Sequence, residues 1–343
     1  MPEADGEGQA RPEKAQGASS GLLRSGRLGV GALLSLLFLL LALRGVDLQQ
    51  VWQTLKQVNP ALVLLALILS TGVNVAKAVR WQVILKPHVP SLGLHRLFAV
   101  LMIGQGMNAF APLRVGDIAR VYMLKGAGSA TILYSLVVEK SLDSLTLIAL
   151  LCVVALVMPL PPWLKTSGIL LSLGLVAVLI VLLLAGRGGR HLAAAGAWLE
   201  ARLAPLRRLE IARRAQDAAA ILRSLSERHV LAPAVVWTGV CWVLGIAANL
   251  ILFPAVGLDV IKPVLAATFL IIVLYIGAIL PSSPGKIGVF DYLCVISLAL
   301  FGVEKTPALA YAIVLHLVSY GPPAVLGAYY FWRESRPSLP AGN

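Results

Sequence analysis

The chain has 343 residues, of which 58% are hydrophobic and only 13% charged, and its mean hydropathy is +0.84. A soluble core cannot hide that much apolar surface, so the composition excludes an ordinary water-soluble domain and points to an all-α polytopic integral membrane protein. The formal net charge of +13 reads in that setting as arginine gathered in cytoplasmic loops rather than as a nucleic-acid surface.

Residues 1–25 are polar and read as a disordered cytoplasmic tail. A membrane domain follows over 26–332, with a first half at 26–186, a cytoplasmic amphipathic helix at 187–228, a second half at 229–332, and a cytoplasmic tail at 333–343. Arg24 and Arg27 precede the apolar run Leu28–Leu43. The run starts late, lacks a small-residue cleavage site and is followed by further spans, so it reads as an uncleaved first span with its amino end inside.

Val46–Asn59 is mildly amphipathic, and Pro60 suits the first residue of a second span ending near Val79 in an interfacial cluster of Asn74, Lys77, Arg80 and Trp81. Leu97–Phe110 is short for a crossing and suits a re-entrant segment. Thr131–Met158 carries Glu139, Lys140 and Asp143 in its first half, and Ser167–Ala185 forms another span. The segment 187–228 then collects arginine, with Trp198, Leu199, Leu203 and Leu206 on helical spacing, as expected of a helix lying on the cytoplasmic surface. Val230–Val256 crosses outward, Val264–Leu280 and Ile287–Val303 flank a second Pro-rich break, and Ala308–Tyr330 is the last span before Arg333 and Arg336. Cys152, Cys241 and Cys294 all lie in apolar stretches and form no disulfide or metal pattern.

Loops 159–166 and 257–262 carry one lysine each, whereas 187–228 and the carboxyl tail are arginine-rich. The positive-inside rule therefore places the first two outside and both termini in the cytoplasm of a cell-membrane protein. The same walk makes Leu97–Lys125 enter from the cytoplasm and Val264–Val303 from outside. The expected architecture is six crossing helices plus two oppositely oriented re-entrant helical hairpins, an inverted repeat.

Both hairpins turn at one spacing of Pro, a basic residue and Gly: Pro112-x-Arg114-x-Gly116, followed by Asp117, and Pro284-Gly285-Lys286-x-Gly288, followed by Asp291. Irregular backbone at membrane depth is tolerated only where protein or a wet cavity satisfies it, so these elbows are expected to line a cavity. Arg114 and Lys286 would each cost about 2.5–3.5 kcal/mol uncompensated at the bilayer centre, and an anion is the natural compensation. Short helices starting near Gly116 and Gly288 would add free N–H groups favourable to phosphate. The structural alternatives are that Arg114 snorkels to the interface, and that Asp117 and Asp291 merely cap helices. Glu139 and Asp143 share a helix face beside Lys140. They either hold a proton, pair with Arg114 or Arg120 or meet a head group, or else lie with Lys140 in the head-group layer. Asn74 and Asn108 suit hydrogen bonds within the bundle, and Tyr275 and His316 suit packing.

Taken together, Asn108-x-x-x-Pro112-x-Arg114-x-Gly116-Asp117-x-x-Arg120, Glu139-Lys140-x-x-Asp143 and Pro281-x-x-Pro284-Gly-Lys286-x-Gly288 resemble the lysylphosphatidylglycerol synthase transmembrane-domain family, also called flippase-like domain proteins. Asp117 replaces a usual Glu, Lys140 a frequent Arg, and Lys286 a frequent Gly. The resemblance covers most of Leu28–Phe331 and implies a membrane module that binds or moves a lipid, here without the aminoacyl-transferase domain that some relatives carry.

The expected function is thus binding and translocation of an anionic lipid or lipid-linked precursor. Asn108, Arg114, Asp117, Arg120, Glu139, Lys140, Asp143, Ser283, Lys286 and Asp291 are the candidate substrate-binding residues, and Pro112, Gly116, Pro284, Gly285 and Gly288 the structural elbows. Two other classes stand beside it: an integral-membrane enzyme using Glu139 and Asp143 as acid and base, and a scaffold for a glycosyltransferase or lipid-biosynthesis enzyme docking on 187–228. No cofactor or metal is expected, and no Walker-type loop is present.

Overall fold

The structure is a computed structural model that describes residues 33–111, 115–158, 173–174, 198, 227–279 and 282–336. The amino-terminal tail, Pro112, Arg114, Pro281, nearly all of the span 167–185 and the arginine-rich segment, and residues 337–343 lie outside the described residues.

Ten α-helices run through the described residues, with no strand among them. Helix α1 covers Leu33–Leu43 and breaks by 83° into α2, Leu48–Lys56. Asp47 causes the restart, because its carboxylate accepts from Gln49 N at 2.8 Å and caps α2. Helix α2 is amphipathic: Val51 is buried, whereas Trp52 lies exposed with the Lys56 ammonium 5.3 Å from its ring centre. Asn59 caps α3 through Ala61 N at 3.0 Å, and Pro60 supplies its first residue.

Helix α3 spans Pro60–Leu85, α4 Leu94–Phe110, α5 Val115–Met123 and α6 Ser129–Val157. Then α7 spans Arg228–Val256, α8 Pro263–Gly277, α9 Val289–Ala299 and α10 Lys305–Ser335. Four of these, α3, α6, α7 and α10, are long and apolar enough to cross a membrane, and the bent α1–α2 pair raises the number to five. At 1.5 Å per residue, α4, α5, α8 and α9 are each too short to cross a hydrocarbon core of about 30 Å alone.

The helix lengths run in the same long-short-short-long order in the two halves. The series α3–α6 has 26, 17, 9 and 29 residues, and the series α7–α10 has 29, 15, 11 and 31. The packing exchanges in the same way: α3 lies along α7, α4 against α10 as α8 against α6, and each short helix pair folds on itself at its elbow. The turn Pro284–Lys286 of the second elbow touches α4 of the first half.

Several expected boundaries shift. Helix α4 begins at Leu94 instead of Leu97, α8 stops at Gly277, short of Leu280, and α9 is 11 residues long where 287–303 was expected to be one apolar piece. It ends early because the chain turns at Gly302, which has a φ of +80°. The largest correction concerns α3. It does not stop in an interfacial cluster but continues to Leu85, and Arg80 and Trp81 are wholly buried in the bundle. Their partners on α6 explain this.

Candidate functional site

The first elbow is held by close backbone contact and one asparagine. A Cβ at Gly116 would fall 1.8 Å from the carbonyl oxygen of Gly104, so only glycine lets α5 fold back onto α4. Asn108 on α4 bridges the turn, accepting from Gly116 N at 2.8 Å and donating to Asp117 Oδ1 at 3.3 Å. This fold-back carries Arg120, three residues after Asp117, into the bundle beside Gly104.

Arg120 there meets Glu139 at 3.0 and 3.5 Å, with Asp117 at 3.7 Å. Glu139 Oε1, which accepts the longer of these bonds, also lies 3.6 Å from Arg80, which in turn donates to both oxygens of Asp143 at 2.6 and 3.3 Å. The result is an alternating chain of charge, Arg120, Glu139, Arg80, Asp143, in which every member is buried. The 3.6-residue period explains its geometry: Glu139 and Asp143 are four apart on α6 and stack so that one guanidinium on α3 reaches both. Arg80 also donates to Thr238 Oγ1 at 3.1 Å, tying α7 to the same cluster. The Arg120 guanidinium lies 4.0 Å from the Trp81 ring centre, and Trp81 donates to Ser135 Oγ at 2.9 Å. In an apolar interior such charges persist only when paired, and here each carboxylate has an arginine.

Lys140 stands at the edge of this chain. Its side chain is 47% exposed, and its ammonium is 3.9 Å from Glu139, whose two oxygens already face Arg80 and Arg120. It lines a cavity of about 720 Å³ between α5 and α6 together with Asp117.

The second elbow is built differently. Gly285 and Lys286 both take left-handed backbone, with φ of +78° and +56°, and Gly288 has φ +88°. Asp291 accepts from Gly288 N at 2.9 Å, the capping role weighed for it, and faces His316 Nδ1 at 3.8 Å. Ser283 donates its N–H to Ser35 Oγ on α1 at 2.6 Å. Lys286 lies with its ammonium 5.8 Å from the Tyr320 ring centre. His316 packs on Phe290, ring centres 4.7 Å apart, and Tyr275 packs on Trp242 at 4.8 Å.

The structure thus brings Asn108, Asp117, Arg120, Glu139, Lys140 and Asp143 into one cluster and sets Ser283, Lys286 and Asp291 in another. Arg114 lies outside the described residues. Glu139 and Asp143 do not lie solvated in a head-group layer: α6 runs unbroken through them, and they are 2% and 7% exposed. Asp143 pairs with Arg80, a residue outside the first elbow motif. Arg80, Trp81, Ser135 and Thr238 belong to the cluster and were missed. The signal available was the apolar run from Pro60, which permits a longer helix, with two unpaired carboxylates on α6 calling for a second cation. Asn74 behaves as expected of a bundle hydrogen-bonder, accepting from Gln105 Nε2 at 3.0 Å.

The sequence model of one protein family, described as the lysylphosphatidylglycerol synthase TM region, matches residues 28–327. A UPF0104 membrane protein of Methanothermobacter thermautotrophicus is 24% identical over 302 residues, which make up 81% of this chain and 87% of that protein.

Proposed function

This chain belongs to the lysylphosphatidylglycerol synthase TM-region family of membrane proteins, and we propose that it binds an anionic lipid or lipid-linked precursor and moves it across the cytoplasmic membrane. In this reading the short pairs α4–α5 and α8–α9 dip into the bilayer from opposite faces, the long helices and the two apolar segments at 28–43 and 167–185 cross it, and both termini are cytoplasmic. Rocking of one half against the other exposes a site between them to each face in turn.

The observation that carries the proposal is the contact between the two halves. Each contributes a helix pair broken at a Pro-basic-Gly elbow, and the second elbow lies against α4 of the first half. Ionisable residues held inside a membrane bundle mark substrate or ion paths by default. The left-handed backbone at Lys286, costing on the order of 1–3 kcal/mol, is the kind of strain that persists at ligand clamps.

Reconstitution in liposomes tests it. Wild-type protein is expected to move at least one labelled anionic lipid, phosphatidylglycerol or a polyprenyl phosphate, and Arg114→Ala and Lys286→Ala to slow that movement about tenfold or more. Equal rates for wild type and both variants across every lipid tried would end this reading.

A further inference from the structure

The cavity between α5 and α6 is a groove with a regular lining. Ser129, Leu133, Leu136, Val137, Lys140, Ser141, Ser144, Leu145 and Ile148 fall on one face of α6, opposite Ile118, Val121 and Tyr122 of α5. From Ser129 to Ile148 that face extends about 29 Å at 1.5 Å per residue, close to the thickness of a bilayer core. Apart from Asp117, whose carboxylate accepts from Asn108 and faces Arg120 at 3.7 Å, polar groups occur at two levels. Lys125 and Ser129 mark one end, and Lys140, Ser141 and Ser144 lie roughly 16 Å further along, with the apolar stretch Leu133, Leu136 and Val137 between. Ile118 and Tyr122 are each 68% exposed and Leu133 is 51% exposed, so the rim itself is apolar.

The second half carries different side chains at the positions that match the groove. Aligning Pro112 with Pro284 places Ile118 opposite Phe290, and aligning the first residues of α6 and α10 places Lys140 opposite His316 and Ser144 opposite Tyr320. In the second half those three rings fill the corresponding space: Phe290 lies 4.7 Å from His316 and 5.7 Å from Tyr320, and His316 lies 4.9 Å from Tyr320. The first half has an aliphatic side chain, a lysine and a serine there instead.

We infer that this groove takes the head group of an anionic phospholipid, its phosphate held by the Lys140 ammonium beside the Ser141 and Ser144 positions, while its acyl chains leave across the apolar rim into the bilayer. The lining selects this occupant. A purely apolar partner such as another helix would bury a half-exposed lysine whose nearest carboxylate is already shared by two arginines, whereas a lipid phosphate offers that lysine an anion and offers the rim its chains. Lys125 and Ser129 form an entry level from which the head group reaches Lys140 along one helix face. The inference rests on the lipid-transport reading and adds to it where the head group sits.

The test is native mass spectrometry of the full chain with dioleoylphosphatidylglycerol, and with dioleoylphosphatidylcholine as the zwitterionic comparison. Wild type is expected to retain the anionic lipid preferentially, Lys140→Gln to weaken retention about tenfold, and Lys140→Arg to keep it within about twofold. The double variant Ile118→Phe/Ser144→Tyr, which gives the groove two of the three rings of the second half, is expected to weaken retention as far as Lys140→Gln and decides the question if the latter does not fold. Unchanged retention in a folded groove-filling variant overturns the assignment, as does a photoreactive group at position 133 that cross-links residues 167–185 of the same chain and no lipid. Lipid retention that depends on Lys140 without any translocation would remove the transport proposal and leave the binding site standing. Translocation with retention indifferent to Lys140 would do the reverse.

Discussion

Arg80 and Asp143 stand 63 residues apart in sequence and form a bidentate ion pair, 2.6 and 3.3 Å, with the guanidinium entirely inaccessible to solvent. Burial makes the pair mutually dependent: either charge alone in the bundle has no water to replace its partner. Arg80→Leu or Asp143→Leu is expected to destabilise the protein by about 3–5 kcal/mol, and the double replacement by clearly less than the sum of the two. Unfolding titrations in detergent on the four proteins of this cycle check it, and additive single effects would show that the two side chains do not depend on each other.

That pair also marks how far the residues reveal the site before any coordinates. Long apolar runs made α6, α7 and α10 legible nearly to their ends, because in a membrane the length of a run and the structure it adopts are the same constraint. The Pro-basic-Gly spacing located both elbows, and the four-residue step from Glu139 to Asp143 foresaw a shared face. Arg80 was not legible. A cation five residues from the end of an apolar helix reads as interfacial when only its own segment is considered, and its burial is decided by carboxylates contributed by a helix far along the chain. The boundaries of α4 and α9 were missed for a related reason, since α4 starts directly after the extended Gly93 and the chain turns at Gly302, points that hydropathy does not register.

The glycine contact at the first elbow makes a second prediction. Gly116 lies so close to the Gly104 carbonyl that a methyl group would overlap backbone, and backbone cannot swing aside as a flexible side chain can. Gly116→Ala is expected to push α5 off α4, drag Arg120 away from Glu139 and cost about 3 kcal/mol or more, beyond ordinary overpacking of about 1–3 kcal/mol. Gly126→Ala, with nothing within 4 Å of the added carbon, is the matched control and is expected to leave stability within about 0.5 kcal/mol. Melting curves of both variants in the same detergent decide it.

Trp81 offers a finer probe of the same cluster. Its indole donates to Ser135 Oγ, which itself donates to the Ile132 carbonyl at 2.7 Å and so keeps a partner when the tryptophan is lost. Trp81→Phe is therefore expected to cost only about 1–2 kcal/mol, from one hydrogen bond and a weaker ring under Arg120. Trp81→Leu, which removes the ring altogether, is expected to cost more. If the two variants melted together, the Arg120–ring contact would carry no energy.

Orientation across the membrane is open to direct chemistry. The turn at 125–127 follows the first elbow, and the loop at 257–262 joins α7 to α8; in the proposed topology they lie on opposite sides of the bilayer. Gly126 and Asp259 are both exposed, so a cysteine at either position is available to a reagent on its own side. In a background with Cys152, Cys241 and Cys294 replaced, a membrane-impermeant maleimide added to intact cells is expected to label Asp259→Cys and to spare Gly126→Cys until the membrane is opened. Labelling of both from outside, or of Gly126→Cys alone, would make the α4–α5 pair enter from the outer face and reverse the side from which the α5–α6 groove is entered.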